Sequence, residues 1–151
     1  MLMIATGLPS LNAVLTAMAY LLIKHALADF VLQTESQRRE KGIYGAPGGV
    51  IHSATHVLLT APVFLILPGP GATMMALLVA EFVLHYHIDY TKEQVVRRHG
   101  WTSHDTPFWW AIGLDQLLHG LTYVAIVWLL TLAAAGTASP KSAAAVRVAR
   151  D

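Results

Sequence analysis

The 151 residues contain no cysteine, and only 13% of them are charged. Without thiols the chain holds no disulfide, no cysteine-ligated iron–sulfur cluster and no thiolate-bound zinc. The scarcity of charge excludes more, because a soluble domain carries about 25% charged residues. A formal net charge of +1 gives no reason to expect a nucleic-acid partner. What the chain has in plenty is apolar surface: 55% of its residues are hydrophobic and its mean hydropathy is +0.52. The solvent that suits this composition is lipid.

Four apolar stretches use most of the length, at about 8–33, 50–67, 72–90 and 106–135. Each approaches the roughly 20 residues a helix needs to cross a ~30 Å hydrocarbon core. The expected fold is all-α, an integral membrane bundle of four transmembrane helices within residues 1–135. A small, polar tail at 136–151 is expected to be disordered. Pro68, Gly69, Pro70 and Gly71 predict a tight reversal between the second and third helices, since proline lacks a donor and glycine tolerates positive φ. Thr106 and Pro107 suit the N-cap and first position of the fourth.

Orientation follows from the connections. Arg38, Arg39 and Lys41 lie in the first, Arg97 and Arg98 lie in the third with Lys92 just before, and the second carries no charge. The positive-inside rule places the first and third on the cytoplasmic side and both termini outside. Lys141, Arg147 and Arg150 in the tail pull the other way. No basic segment precedes the first apolar stretch and no clear cleavage site follows it, so a retained helix is expected rather than a cleaved signal peptide. Trp101, Trp109 and Trp110 fall where an interfacial aromatic belt would lie.

The chemistry lies in polar residues spaced by four, which puts them on one helix face, one turn above the other. The first helix has His25, Asp29 and Gln33; the second His52 and His56; the third Glu81, His85 and Asp89; the fourth Asp115 and His119. At ~1.5 Å per residue from the cytoplasmic ends, these groups lie at depths of roughly 3 to 15 Å on all four helices. Such residues cost several kcal/mol each in lipid unless they find partners, so four stripes at one depth imply one shared polar centre.

Asp29, Glu81, Asp89 and Asp115 would put up to four carboxylates in that layer, with Lys24 and Lys92 the fixed cations nearby. The cluster must protonate, pair or bind a metal. Imidazole with carboxylate suits zinc, manganese or iron, and the donors exceed the needs of one ion. One or two divalent ions are expected, zinc before manganese or iron, held by His25, Asp29, His52, His56, His85, Asp89, Asp115 and His119. A buried hydrogen-bonded network and a proton or ion pathway are the alternatives. His87 lies about 200° round the helix from His85 and faces elsewhere, while His99 and His104 fall in a polar loop. Lys24 reads as a snorkelling, interhelical or catalytic cation.

The motifs His25-x-x-x-Asp29-Phe30-x-Leu32-Gln33, His52-x-x-x-His56, His87-Ile88-Asp89-Tyr90-x-Lys92 and Asp115-Gln116-x-Leu118-His119 occur in this order. In them the chain resembles a family of small bacterial integral membrane proteins of unknown function. The resemblance implies membrane helices and these polar motifs, in a bacterial inner membrane, but no reaction. Its third motif runs through His87 whereas helical geometry favours His85, so either is a candidate ligand. A weaker likeness joins His52-Ser53-Ala54-Thr55-His56 to inner-membrane metal-dependent hydrolases.

The expected function is a metal-dependent hydrolase of a lipid or lipid-linked ester near the cytoplasmic leaflet. Glu81 is the candidate base, with Asp115 next, and Lys92 the candidate contact to a polar headgroup. Expected partners are membrane lipid and a lipid-linked substrate, with a homo-oligomer left open. A proton-coupled or metal-ion transporter is the first rival, although it would more often show broken helices or inverted repeats. A di-iron membrane oxygenase is the second, although the chain has only one His-x-x-x-His.

Overall fold

The computed structural model describes residues 8–148, with side chains through 136. Its elements are all helical. α1 spans Leu11–Leu27 and continues through a π-helical turn at Ala28–Leu32, α2 spans Glu35–Glu40, α3 Pro47–Thr60, α4 Val63–Ile66, α5 Gly71–His99 and α6 Thr106–Val148. Four spans are long and apolar enough to cross a membrane: Leu11–Leu32, Pro47–Ile66, Gly71–His99 and Thr106–Gly136. α5 packs against both α3 and α6, and α1 closes the bundle against α3, α4 and α6.

Local chemistry sets the helix ends. Ser10 caps α1 by accepting from Ala13 N, and a reciprocal Thr34–Gln37 box opens α2. Pro47 starts α3 where a missing N–H costs nothing. Pro62 cannot donate, and the second apolar stretch, expected as one helix, divides there into α3 and α4. The third helix does not stop near Tyr90: its polar continuation runs to His99, so His99 belongs to a helix and not a loop. Gly100 ends it in the left-handed region at φ 65°, donating its N–H back to Arg97 O and Val96 O. Thr102 N and Oγ1 then donate to Asp105 and hold its carboxyl below the usual range. α6 passes the expected boundary at Ala135 and carries helical backbone through alanine-rich sequence to Val148.

The interior is as polar as it is apolar. Among the described residues, thirteen buried apolar side chains are matched by thirteen buried polar or charged ones, while Phe30, Leu58, Leu65 and Trp128 face outward. That distribution inverts the pattern of a soluble domain and suits an apolar solvent. The two kinds of interior are segregated. Leu21, Leu67, Leu77, Tyr123, Val127 and Leu130 form a core at one end of the bundle, and the His/Asp stripes occupy the other.

Candidate metal centre

Each stripe faces inward. His25, Asp29, His52, His56, Glu81, His85, Asp89, Asp115 and His119 are all buried. His52 Nε2 and His56 Nε2 approach Asp29 Oδ1 at 3.1 and 3.2 Å. Asp89 Oδ2 lies 3.3 Å from His52 Nε2 and 3.4 Å from His85 Nε2, and its other oxygen lies 3.6 Å from His119 Nε2. Asp115 Oδ1 stands 3.7 Å from His119 Nε2.

These atoms meet without bonding one another. Among the described residues, the Nε2 atoms of His52, His56, His85 and His119 are buried and make no hydrogen bond, as are Asp29 Oδ1, Asp115 Oδ1 and both oxygens of Asp89, although the Lys41 ammonium forms ion pairs with Asp29 and Asp89. Orphaned buried groups cost about 1–3 kcal/mol each, so a convergent set of them calls for a shared occupant. Ligands of one ion sit roughly 2.0–2.2 Å from it and hence about 3 to 3.5 Å from each other, and the pairs around Asp29 Oδ1 and Asp89 Oδ2, at 3.1 to 3.4 Å, have that spacing. The donors fall into two groups whose ligating atoms lie within 4.8 Å: Asp29, His52, His56 and His85; and His85, Asp89 and His119. Asp89 reaches both through its two oxygens. His85 is common to both groups, and residues of these types could hold a divalent ion.

His25 differs from the other candidates. Its Nδ1 lies 3.0 Å from Tyr123 OH, and its Nε2 lies 3.1 Å from Gln116 Oε1 and 3.3 Å from Asp29 Oδ2. Gln116 Nε2 in turn donates to Asp29 Oδ2 and Asp115 Oδ2. Both ring nitrogens of His25 thus have protein partners, and His25 belongs to neither group of converging donors. The π-helical turn that follows His25 widens the backbone around Asp29, whose carbonyl accepts from Gln33 Nε2 at 2.8 Å.

Glu81 stands one turn deeper and is held by Lys24 Nζ at 2.9 Å and Thr60 Oγ1 at 2.8 Å. Lys24 is buried, donates also to His56 O, and does not snorkel. Between α1, α2, α5 and α6 a cavity of about 650 Å³ opens over the cluster. Asp29, Asp115 and Lys41 line it, and so do Gln33 and Lys92 nearer the rim, but Glu81 does not. Lys92 pairs with Glu93 at 2.6 Å. His85 belongs to the cluster, whereas His87 is exposed and bonds Val83 O and Tyr44 OH.

Sequence reasoning missed Lys41, Thr60 and Tyr123. Thr60 and Tyr123 were accessible, since each stands one further turn along a stripe, after His56 and after His119. Lys41 carried no such signal and read only as a loop charge. Its buried ammonium lies 3.1 Å from Asp89 Oδ2 and 3.6 Å from Asp29 Oδ1. The loop that delivers it is tied to α5 by Gln94 Nε2 donating to Gly42 O and by Gly45 N donating to Tyr86 OH.

The chain belongs to the family described as protein of unknown function DUF3307, whose model matches residues 17–145. No curated protein and no solved structure matches it.

Proposed function

We propose that this chain is a membrane-embedded metal-dependent hydrolase, acting on a lipid or lipid-linked ester near the cytoplasmic leaflet of a bacterial inner membrane. The observation that carries the reading is the set of orphaned, buried imidazole and carboxylate atoms, of which the carboxylates of Asp29 and Asp115 belong to residues that also line an accessible cavity. A structural site is closed by protein ligands, whereas a catalytic one keeps a position open to water. That Asp29 and Asp115 line the cavity supports the catalytic reading.

Bound divalent ions, zinc before manganese or iron, supply Lewis acidity and water with a lowered pKa. His52, His56, His85, His119, Asp29, Asp89 and Asp115 are the candidate ligands, and His25 with Gln116 orients Asp29. For the base, Asp115 suits the role better than Glu81, because it borders the cavity while Glu81 is engaged by Lys24 and Thr60. Lys92 and Gln33 are placed to meet a polar headgroup entering from the interface.

Transport is the rival that would use the same ionisable groups, and the deeper Lys24–Glu81 pair extends the polar path by one turn. Past that pair Leu21, Leu67, Leu77 and Leu130 close the bundle, which favours hydrolysis. Elemental analysis of the detergent-purified chain tests the reading first, with one or two divalent ions per chain expected. Metal-loaded protein is then screened against phosphate and acyl esters of lipids. A metal-free chain ends the hydrolase proposal, and a metal-loaded chain that turns over no ester while moving metal or protons into proteoliposomes replaces it with transport.

A further inference from the structure

Lys41 raises a question of charge that the hydrolase reading leaves open. Its ammonium is only 6% exposed and its ion-pair partners are Asp29 and Asp89. Two divalent ions, one for each group of donors, would claim both carboxylates; a single ion with Lys41 would just balance the three aspartates, so the imbalance that follows belongs to the two-ion state. Asp29, Asp89 and Asp115 would then supply three negative charges against four on the ions and one on Lys41, leaving two positive charges in a low-dielectric site. Uncompensated charge of that size is not stable away from water. The missing partner carries two negative charges.

The rim has the same bias. Arg38 and Arg39 share Glu35, while Lys92 and Arg97 share Glu93. Four cations thus serve two carboxylates around a cavity whose volume is about 650 Å³. Phe30, Val96, Phe108 and Ile112 complete its walls, and Phe30 is 70% exposed in the π-helical turn that follows α1. A ligand that fits is amphiphilic, with a dianionic head and an apolar remainder.

We propose that the cavity takes a phosphate monoester, its phosphate between Lys41 and the metal centre and its apolar part passing Phe30 and Ile112. The inference rests on the hydrolase reading and narrows its substrate to a phosphoryl group, because a neutral acyl ester would leave the charge unbalanced. In the reaction, the oxygen of water forms a bond to phosphorus and the bond from phosphorus to the alcohol oxygen breaks. The electron pair leaves with that oxygen, and the water's proton passes through a cluster carboxylate to it. One water is consumed; one alcohol and one inorganic phosphate are released.

The test uses the full chain, purified in detergent and loaded with zinc or manganese, titrated with inorganic phosphate by calorimetry. Wild type is expected to bind phosphate. Lys41→Gln is expected to bind it about tenfold or more weakly at unchanged metal content, as befits loss of a charge-assisted bond, and Lys41→Arg to stay within about threefold of wild type. Should Lys41→Gln fail to hold metal, Lys92→Gln takes its place, with a severalfold loss expected and no loss overturning the proposal. Turnover is compared on phosphatidylcholine vesicles carrying phosphatidic acid, on glycerol 3-phosphate and on a soluble acyl ester. Phosphate release from the vesicles supports a lipid source, and release from glycerol 3-phosphate alone supports the same chemistry on a soluble one. Metal-loaded protein that binds no phosphate, or that cleaves only the acyl ester, overturns the phosphate inference and leaves the hydrolase reading intact. Absence of metal overturns both, and elemental analysis detects it before phosphate is added.

Discussion

Lys24 Nζ on α1 lies 2.9 Å from Glu81 Oε1 on α5, with 4% and 1% of the two side chains exposed. The pair is completed by Thr60 Oγ1 on α3, so three spans converge on one carboxylate beneath the His/Asp cluster. Removing one member of such a pair strands a charge where water cannot reach it, whereas removing both does not.

Glu81→Gln is therefore expected to cost about 3–5 kcal/mol of stability, read as a lowered midpoint of thermal unfolding in detergent. Lys24→Met combined with Glu81→Leu should recover most of that loss. A double variant that keeps metal and turns over substrate places the base elsewhere, with Asp115 the first residue to replace. Loss of metal from the double variant would contradict the placement of Glu81 outside the ligand set.

Replacing His52 and His56 together by alanine removes two of the orphaned Nε2 atoms around Asp29. Elemental analysis should show at least one ion fewer per chain than wild type. Unchanged stoichiometry would exclude α3 from the metal centre.

His25→Ala tests a different role. Both ring nitrogens of His25 are engaged by Tyr123, Gln116 and Asp29, so the variant should keep its full number of ions and bind them about 10–100-fold more weakly. Competition with a chelator measures the affinity. A missing ion, at saturating metal, would make His25 a ligand.

Gly48 lies where α2 turns into α3, and a Cβ there would stand 2.9 Å from Ser36 O and 2.7 Å from Glu40 Oε2. Gly48 N also donates to that same Glu40 oxygen. Gly48→Ala should destabilise the chain by about 1–3 kcal/mol through overpacking and disturb the loop that carries Lys41. Unfolding midpoint and phosphate affinity are the two readouts, and a variant identical to wild type in both would show that this elbow does not position Lys41.

Orientation is open to a clean assay because the chain has no cysteine. Single cysteines at Arg39 and Arg98 should react with a membrane-impermeant maleimide only after cells are permeabilised. Labelling of either in intact cells would invert the proposed topology and move the cavity to the opposite leaflet.

Much of the centre was legible from spacing. Residues four apart share a helix face in any helix, and a buried ionisable group in lipid must face protein, so the inward stripes of α1, α3, α5 and α6 followed from local rules. Helical angle favoured His85 and the family motif ran through His87, and it is His85 that the structure buries while His87 stays exposed. Helix ends were less legible. The break at Pro62 had its cause in plain view, whereas the run of α5 to His99 rests on a polar turn that hydropathy does not register.

By itself the sequence determined the apolar composition, the four spans long enough to cross a membrane and the helix faces that carry the polar residues, since composition and the helical period are properties of each segment alone. Tertiary structure decided the division of labour among those residues. Asp29 meets His52 and His56, His25 turns to Gln116 across 91 positions, Lys24 reaches Glu81 across 57, and a loop lysine becomes the cation beside the cluster. Those choices depend on how each helix is rotated about its axis, on the π-helical turn after His25 and on the path of the loop from α2 to α3. All three are set by packing between spans, and none is encoded in the periodicity of any one of them.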